Sequence, residues 1–578
     1  MKKMAIFALC ALFAAAFMAA PASAQKPELV IGAGEGRPVG TEFHQNYNHT
    51  LSPDTVYILT GLYTVDSTYS LTIPAGTLIK GDSLTAGTLY IHRGAQIFAQ
   101  GTECDPIVFT SRDPIGERDR GDWGGVVIAG AAPINQDEPF IEGGIIPGSY
   151  GGPDPGVGDG DPNDDSGVFS YVRIEYPGYR FADQNEINGL TLCGVGNGTK
   201  LDHVQVSYSF DDGYEWFGGT VDGKYLVSFA ETDDTFDTDF GYTGRLQFLF
   251  GLKDPFMFDV AGESRGFESD NMDPYNCVSP NTQPIISNLT SIGPFRTDAT
   301  TVPPGETFDW SGVVRRCSYL ELHNSASIGH ERGYSIRDAL TQDHACNNCT
   351  FRHVSIATKS QTHDTGRWAG IEDWWTGVAP CNCIVGNIPT IPPGIIRSID
   401  GMGLTDMTDL NDPNPVPTVG SELDVAGTSF VGLDPAFFDS TSYRGAFEPG
   451  VPMYAQWTRC WTNFDPQNTH YNDGITTGVG DRPSYSANML FQNYPNPFAA
   501  ASGTNIHYSV SKPGPVQIHI FDAAGRMVNT IEDQAKAGEN AIVWNGKDGN
   551  GNTVPSGVYF YQINADGFKA QKRMMLAN

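Results

Sequence analysis

The chain of 578 residues carries 67 acidic against 35 basic side chains, a formal net charge of −32 with histidines neutral. A surface of that sign repels phosphate backbones and anionic lipid, which excludes nucleic-acid binding and leaves cations as the natural small partners. With 67 glycines, 38 prolines and 11% aromatic residues, the composition calls for many turns and short strands: an all-β chain with room for two or three domains.

The N-terminus reads MKKMAIFALCALFAAAFMAAPASAQ. Two lysines, an apolar run and the small residues Ala22-Ser23-Ala24 are the layout of a cleavable secretory signal, residues 1–24. Cys10 lies inside the apolar run, not after it, which argues against a lipidated cysteine. No later stretch of about 18 apolar residues follows, so no transmembrane helix is predicted. The expected address is secreted or on the cell surface, at the exterior of the outer membrane.

Residues 27–383 read as a right-handed parallel β-helix. LTIPAGTLIKG (Leu71–Gly81) and LYIHRGAQIFAQG (Leu89–Gly101) carry Gly76 and Gly94 at the same place, and PIVFTS (Pro106–Ser111) follows. Short alternating segments that end in Gly or a polar turn and recur at about 18 to 25 residues are coils of a solenoid. A β-sandwich leaves that recurrence unexplained. Further strands are expected at Tyr171–Tyr176, His203–Tyr208, Lys224–Phe229, Pro284–Ser291 and Phe351–Ile356.

Between two of these strands the acids become periodic. In SFDDGYEWFGGTVDGKYLVSFAETDDTFDTDF (Ser209–Phe240), an acidic pair, an aromatic and an acid return after 22 residues. A coil of that length stacks Asp211 on Asp233, Asp212 on Asp234, Tyr214 on Phe236 and Glu215 on Asp237, at the strand spacing of roughly 4.8 Å. Stacked aromatics are ordinary core. Stacked carboxylates repel, so they must be protonated, bonded to backbone N–H groups or neutralised by a cation. Calcium, a hard cation with oxygen ligands, is the expected partner, with Asp211, Asp212, Asp233, Asp234 and Asp237 as its candidate ligands. Asp239, Glu263, Glu268 and Asp270 extend the same acidic face, and no organic cofactor is called for.

Two other readings fit the same acids. In a polysaccharide-processing site, Asp211, Asp212, Asp233 and Asp234 supply acid and base, while His330, Arg332 and Arg337 bind an acidic sugar. In the plainest reading, Asp and Gly simply populate turns and bond backbone N–H groups. A second acidic stretch, Asp154–Asp165, alternates Asp159, Asp161, Asn163 and Asp165, but Ser170 stands where a calcium loop needs a glutamate. A plain acidic loop is expected there. Trp368, Trp374 and Trp375 suit either sugar stacking or the capping of a solenoid end.

Nine cysteines follow Cys10: Cys104, Cys193, Cys277, Cys317, Cys346, Cys349, Cys381, Cys383 and Cys460. CNNC (346–349) and CNC (381–383) have the look of a zinc knuckle. In an exported chain, disulfides account for them better, and an odd total leaves at least one thiol over.

Taken together, GTLIKG, GAQIFAQGTECDPIVFTS, RGDWGGVVIAGAAPIN, NEINGLTLCGVGNGTKLDHVQVSYSFDDGYEWFGGTV and DDTFDTDFGYTGRLQF resemble a group of exported bacterial β-helix proteins. STSYRGAFEPGVPMYAQWTRCWTNFDP (440–466) is similar to the segment that closes them. The resemblance implies a fold and a surface address, with no catalytic residue to carry over.

Residues 384–467, with IPTIPPGIIRS and NDPNPVPTVG, are expected to be a Pro-rich insertion and a closing strand. Residues 468–490 form a linker. Residues 491–578 alternate as strands of a small immunoglobulin-like sandwich. NYPNPF, IFDAAGRMV, VWNGKDGNGNTVPSGVYFYQI and KAQKRMMLAN resemble the C-terminal sorting domain of type IX secretion, related to the immunoglobulin-like domain of the flagellar hook-capping protein. That resemblance implies an outer-membrane secretion machinery as partner.

The sequence therefore predicts a secreted or surface-held binding or adhesion protein with a calcium-stabilised acidic face. An enzyme acting on acidic polysaccharide, or a structural surface-layer component, are the competing roles.

Overall fold

The computed structural model describes residues 26–136, 139, 141, 150–152, 160–182, 185–258, 264–272, 277–302, 308–368, 371, 398–471, 489–490, 493, 498–500, 503–510, 512–522, 525–536, 538–565 and 568–577. Among these, 25 strands pair in parallel into one continuous sheet wound as a solenoid. The chain is a parallel β-helix with three walls. Wall 1 starts at Glu28–Gly32, wall 2 at Glu42–Gln45 and wall 3 at His49–Thr50. Each strand pairs with its counterpart one coil later, as Glu28 with Val56, Glu42 with Leu62 and His49 with Leu71.

The period-2 alternation of each strand sends one side chain in two to the interior. Leu59, Ile79, Phe109, Ile174, Val206 and Leu249 fill it from wall 1, while Tyr63, Leu89, Val126, Leu192 and Trp216 fill it from wall 2. One coil cannot bury such a face alone, and stacking makes the core continuous.

The two near-repeats at the start mark a shared turn, not successive coils. Leu71 stacks on Ile97, whereas Leu89 stacks on Tyr63. Gly76 turns the chain from wall 3 to wall 1 and Gly94 from wall 2 to wall 3, both at positive φ (73° and 79°).

In later coils the strands of walls 3 and 1 merge into single bent strands such as Lys200–Ser207 and Arg245–Leu252. The bend residues Tyr171, His203, Tyr225 and Phe248 sit at φ between 51° and 59°, a region costly for residues with a Cβ. Stacking offsets the cost: the rings follow one another at 4.2, 4.5 and 5.0 Å. Asn288, Asn324 and His353 continue this left-handed column.

Residues 398–471 depart from expectation. Instead of a closing strand, residues 418–471 hold only turns and short helical segments. They form a strap that runs back along the solenoid. Asn324 exchanges two hydrogen bonds with Ser429 (3.1 and 2.9 Å), Gln247 two with Asp439 (2.7 and 2.9 Å) and Gln205 two with Asn463 (2.7 and 2.8 Å). Moving forward from Ser429, the strap thus meets the coils in reverse order. Its far end is fixed by the Cys104–Cys460 disulfide and by Tyr471, whose hydroxyl donates to Glu175 at 2.6 Å. Beneath it the outer side of wall 1 is apolar: Val227, Phe229, Phe250, Leu252 and Ile292 pack on Met402, Phe447, Trp461 and Phe464.

The C-terminal residues form two sheets. Met489–Leu490, Thr504–Val510 and Gly538–Trp544 make an antiparallel three-stranded sheet. In the five-stranded sheet, Gly557–Ala565 lies between Gly514–Asp522 and Phe568–Ala577. Ile506, Tyr508, Ile518, Ile520, Trp544, Tyr561 and Ile563 form their common core. Among the described residues, no helix is long and apolar enough to cross a membrane.

Candidate metal centre on the acidic wall

Wall 2 carries the acids. Strand Tyr214–Gly219 pairs with Phe236–Asp239 so that Tyr214 lies on Phe236 and Glu215 on Asp237. The rings go inward, with centroids 5.5 Å apart. Alternation then puts Glu215 and Asp237 on the outer side, and Asp237 stacks in turn on Glu268 of the next coil.

The turn before each strand uses its acid differently. Asp212 Oδ1 accepts the Asp234 backbone N–H at 2.7 Å, and Asp234 Oδ1 accepts that of Arg265 at 2.7 Å. These two carboxylates cap the turn above them, which is the turn chemistry expected of Asp.

Two sets of oxygens converge, each within 4.8 Å: Asp211, Asp212 and Asp233, and Asp212, Glu215 and Asp237. Asp212 belongs to both. Asp234 joins neither, because its second oxygen faces the Arg265 guanidinium at 3.2 Å. Glu215 takes its place, and also accepts from Asn188 Nδ2.

Beyond Asp237 the acids alternate with arginines. Arg265 pairs with Glu268 at 2.5 Å, Arg315 with Glu268 and Asp270 at 2.7 Å each, and Arg316 with Asp270 at 2.5 Å. The cluster thus has an arginine-neutralised lobe and a carboxylate lobe. In the latter, Asp237 Oδ1 is enclosed and makes no hydrogen bond among the described residues.

The carboxyls respond to this crowding. Burial, with Asp211 and Asp234 alongside, pushes Asp212 well above the ordinary carboxylate range. Burial and then Glu268 and Asp234 do the same to Asp237. Asp239 is raised by burial and Asp270, and Glu268 by burial and Asp270 against the opposing pull of Arg265. Each charged form is short of solvent and beside its like. A hard cation seated at Asp212, Glu215 and Asp237 would find only oxygen donors.

At the corner between walls 1 and 2, Glu231 and Lys253 form an ion pair at 3.1 Å, each about 1% exposed. Ser228 and Thr235 hydroxyls also donate to Glu231, at 3.0 and 2.6 Å.

The proposed sugar-binding trio does not assemble. His330 is buried with Nε2 2.9 Å from Ser291 Oγ, and burial with Lys253 and Arg296 nearby pushes it down to about 3. Arg332 pairs with Asp309 at 2.9 Å and lies over Trp310, and Arg337 also faces Asp309, at 3.7 Å. Arg332 and Arg337 share Asp309, while His330, beside irregularities in the strand register, turns to Ser291 instead.

In the second acidic stretch, Asp161 Oδ1 accepts Asn163 N–H at 2.9 Å and Asp165 Oδ1 accepts Gly167 N–H at 2.8 Å, which are turn contacts. Asp159, Glu263, Trp374, Trp375, Cys381, Cys383 and residues 1–24 lie outside the described residues. Trp368 packs against the solenoid core. Two disulfides are formed, Cys104–Cys460 and Cys277–Cys317, and Cys193 and Cys349 are buried.

Residues 42–372, more than half of the chain, match the family described as the pectate-lyase-like β-helix domain. The chain belongs to this family. Residues 498–567 match the FlgD Ig-like domain. No curated protein matches the chain. Among solved structures, that of PorZ, described as an essential bacterial surface component of the type-IX secretion system of Porphyromonas gingivalis, is 22% identical over 18% of this chain, with a TM-score of 0.13. The match spans 13% of that protein, too little to carry fold or function across. What the pectate-lyase-like family shares with this chain is the coil architecture on which the acidic wall is built.

Proposed function

We propose that this protein is an exported, surface-held β-helix that binds ligands and does not transform them, with one calcium ion bridging two coils of its acidic wall. The observation that carries the reading is the carboxylate lobe. Three acids from adjacent coils converge, one with an enclosed and unbonded oxygen, while the next coils neutralise theirs with arginines. Leaving such oxygens charged and unpaired is costly, and protonation or a cation removes the cost. Calcium suits ligands from separate coils because it tolerates irregular geometry, whereas magnesium demands a near-ideal octahedron. In the same reading, the C-terminal immunoglobulin-like domain is what an outer-membrane type IX secretion machinery recognises.

One observation favours an enzyme acting on acidic polysaccharide: Arg265 and Arg315 stand beside the acids in a fold whose family is named for a lyase. Their guanidinium groups, however, are held by Glu268, Asp234 and Asp270. An acid or base for catalysis needs a free path to substrate.

Thermal unfolding of the exported chain in calcium and in chelator tests the ion. Calcium is expected to raise the Tm by several degrees, and Asp212→Asn to remove that gain. An identical Tm in both buffers contradicts the reading, and release of unsaturated sugar from pectate would replace it with the enzyme.

A further inference from the structure

The outer side of the five-stranded C-terminal sheet breaks the polar pattern of a solvated face. Along strands Gly514–Asp522 and Gly557–Ala565, Ile518, Ile520, Tyr561 and Ile563 point into the core. The outward positions pair as Gln517 with Asn564, His519 with Gln562 and Phe521 with Phe560. Two polar rungs are therefore followed by an aromatic one. At that rung Phe521, Asp522, Gly525, Phe560, Gln562 and Gln571 line a shallow cavity of about 370 Å³, the lower end of the size range of small-molecule sites.

The lining has a definite chemistry. Its lining includes two aromatic rings, Phe521 and Phe560. Gln562 and Gln571 lie opposite each other in register, and each carboxamide carries both donors and an acceptor. Asp522 is neutralised by Arg526, whose Nε donates to it at 2.7 Å. No basic side chain is among the lining residues to recruit an anion, and a purely apolar ligand would strand the two amides. Strand addition is excluded, because both floor strands have neighbours on each side. What remains is a neutral molecule with an apolar face and a rim of hydroxyls.

We propose that this cavity binds a neutral hexopyranose unit of a glycan. The sugar's C–H face lies on Phe521 and Phe560, and its hydroxyls meet Gln562, Gln571 and Asp522. The site belongs to the C-terminal domain and is independent of the acidic wall.

Isothermal titration of the exported chain with mannohexaose, cellohexaose and N-acetylchitohexaose tests it. At least one is expected to bind with a Kd of about 1 mM, as suits a shallow single-unit site. Phe560→Ala is expected to weaken that binding by about tenfold. Should Phe560→Ala unfold the domain, Gln571→Ala alters only the exposed rim and is expected to weaken binding severalfold. Chelation of calcium is expected to leave this sugar binding unchanged, which separates the site from the acidic wall. No binding of any of the three at about 10 mM, or equal binding by Gln571→Ala and a folded Phe560→Ala, overturns the proposal.

Discussion

The outer sides of walls 1 and 2 are built on the same coils and solve opposite problems. Wall 1 turns apolar residues outward and covers them with chain: Phe229, Phe250 and Ile292 lie under Phe447, Trp461 and Phe464. Wall 2 turns carboxylates outward and balances them with charge, as Glu268 and Asp270 are by Arg265, Arg315 and Arg316. A parallel coil fixes only which residues share a column. The chemistry of the column decides whether it needs a strap, a counter-charge or an ion.

The contrast predicts where each wall breaks. Trp461 is fully buried and its indole N–H donates to Trp457 O at 2.7 Å. Trp461→Ala is expected to cost about 3–5 kcal/mol, read as a lowered urea midpoint. Limited proteolysis should then cut within 418–471 before the coils. Simultaneous loss of both would mean that strap and solenoid are one cooperative unit.

Wall 2 should respond to pH instead. Asp212, Asp237, Asp239 and Glu268 have folded-state values raised above the ordinary carboxylate range, so the folded chain binds protons more tightly than the unfolded one. Their contribution is therefore fully present below the ordinary value near 4 and is lost as pH rises through the raised values. In chelator, urea-derived stability should fall along that rise by about 1.4 kcal/mol for each unit by which one group is raised. Calcium should flatten the slope. A stability that increases with pH over this window would show that the acids are held in their charged form by the arginines alone.

Legibility in the sequence followed the same division. The stacking of Tyr214 on Phe236 and Glu215 on Asp237 is readable because those coils contain no insertion, so the 22-residue spacing is preserved. From Asp237 to Glu268 and on to Val313 the loops between strands differ in length. Arg265, Arg315 and Arg316 therefore reach the cluster without any periodic signal. Asp234 looked equivalent to Asp233, yet one position decides whether an acid faces Arg265 or the carboxylate lobe. The strap was hidden for a different reason. It has neither period 2 nor period 3.6, and its docking depends on single amides such as Gln205 and Gln247. The Cys104–Cys460 pairing, 356 residues apart, cannot be deduced from spacing.

Calcium stoichiometry, measured by equilibrium dialysis of residues 25–578 and their Asp237→Asn variant, tests the account most directly. One bound ion per chain, lost in Asp237→Asn while the far-ultraviolet spectrum is unchanged, is the predicted result. No bound calcium at millimolar concentration, or undiminished binding by the variant, would contradict the claim that an ion joins the coils of the acidic wall.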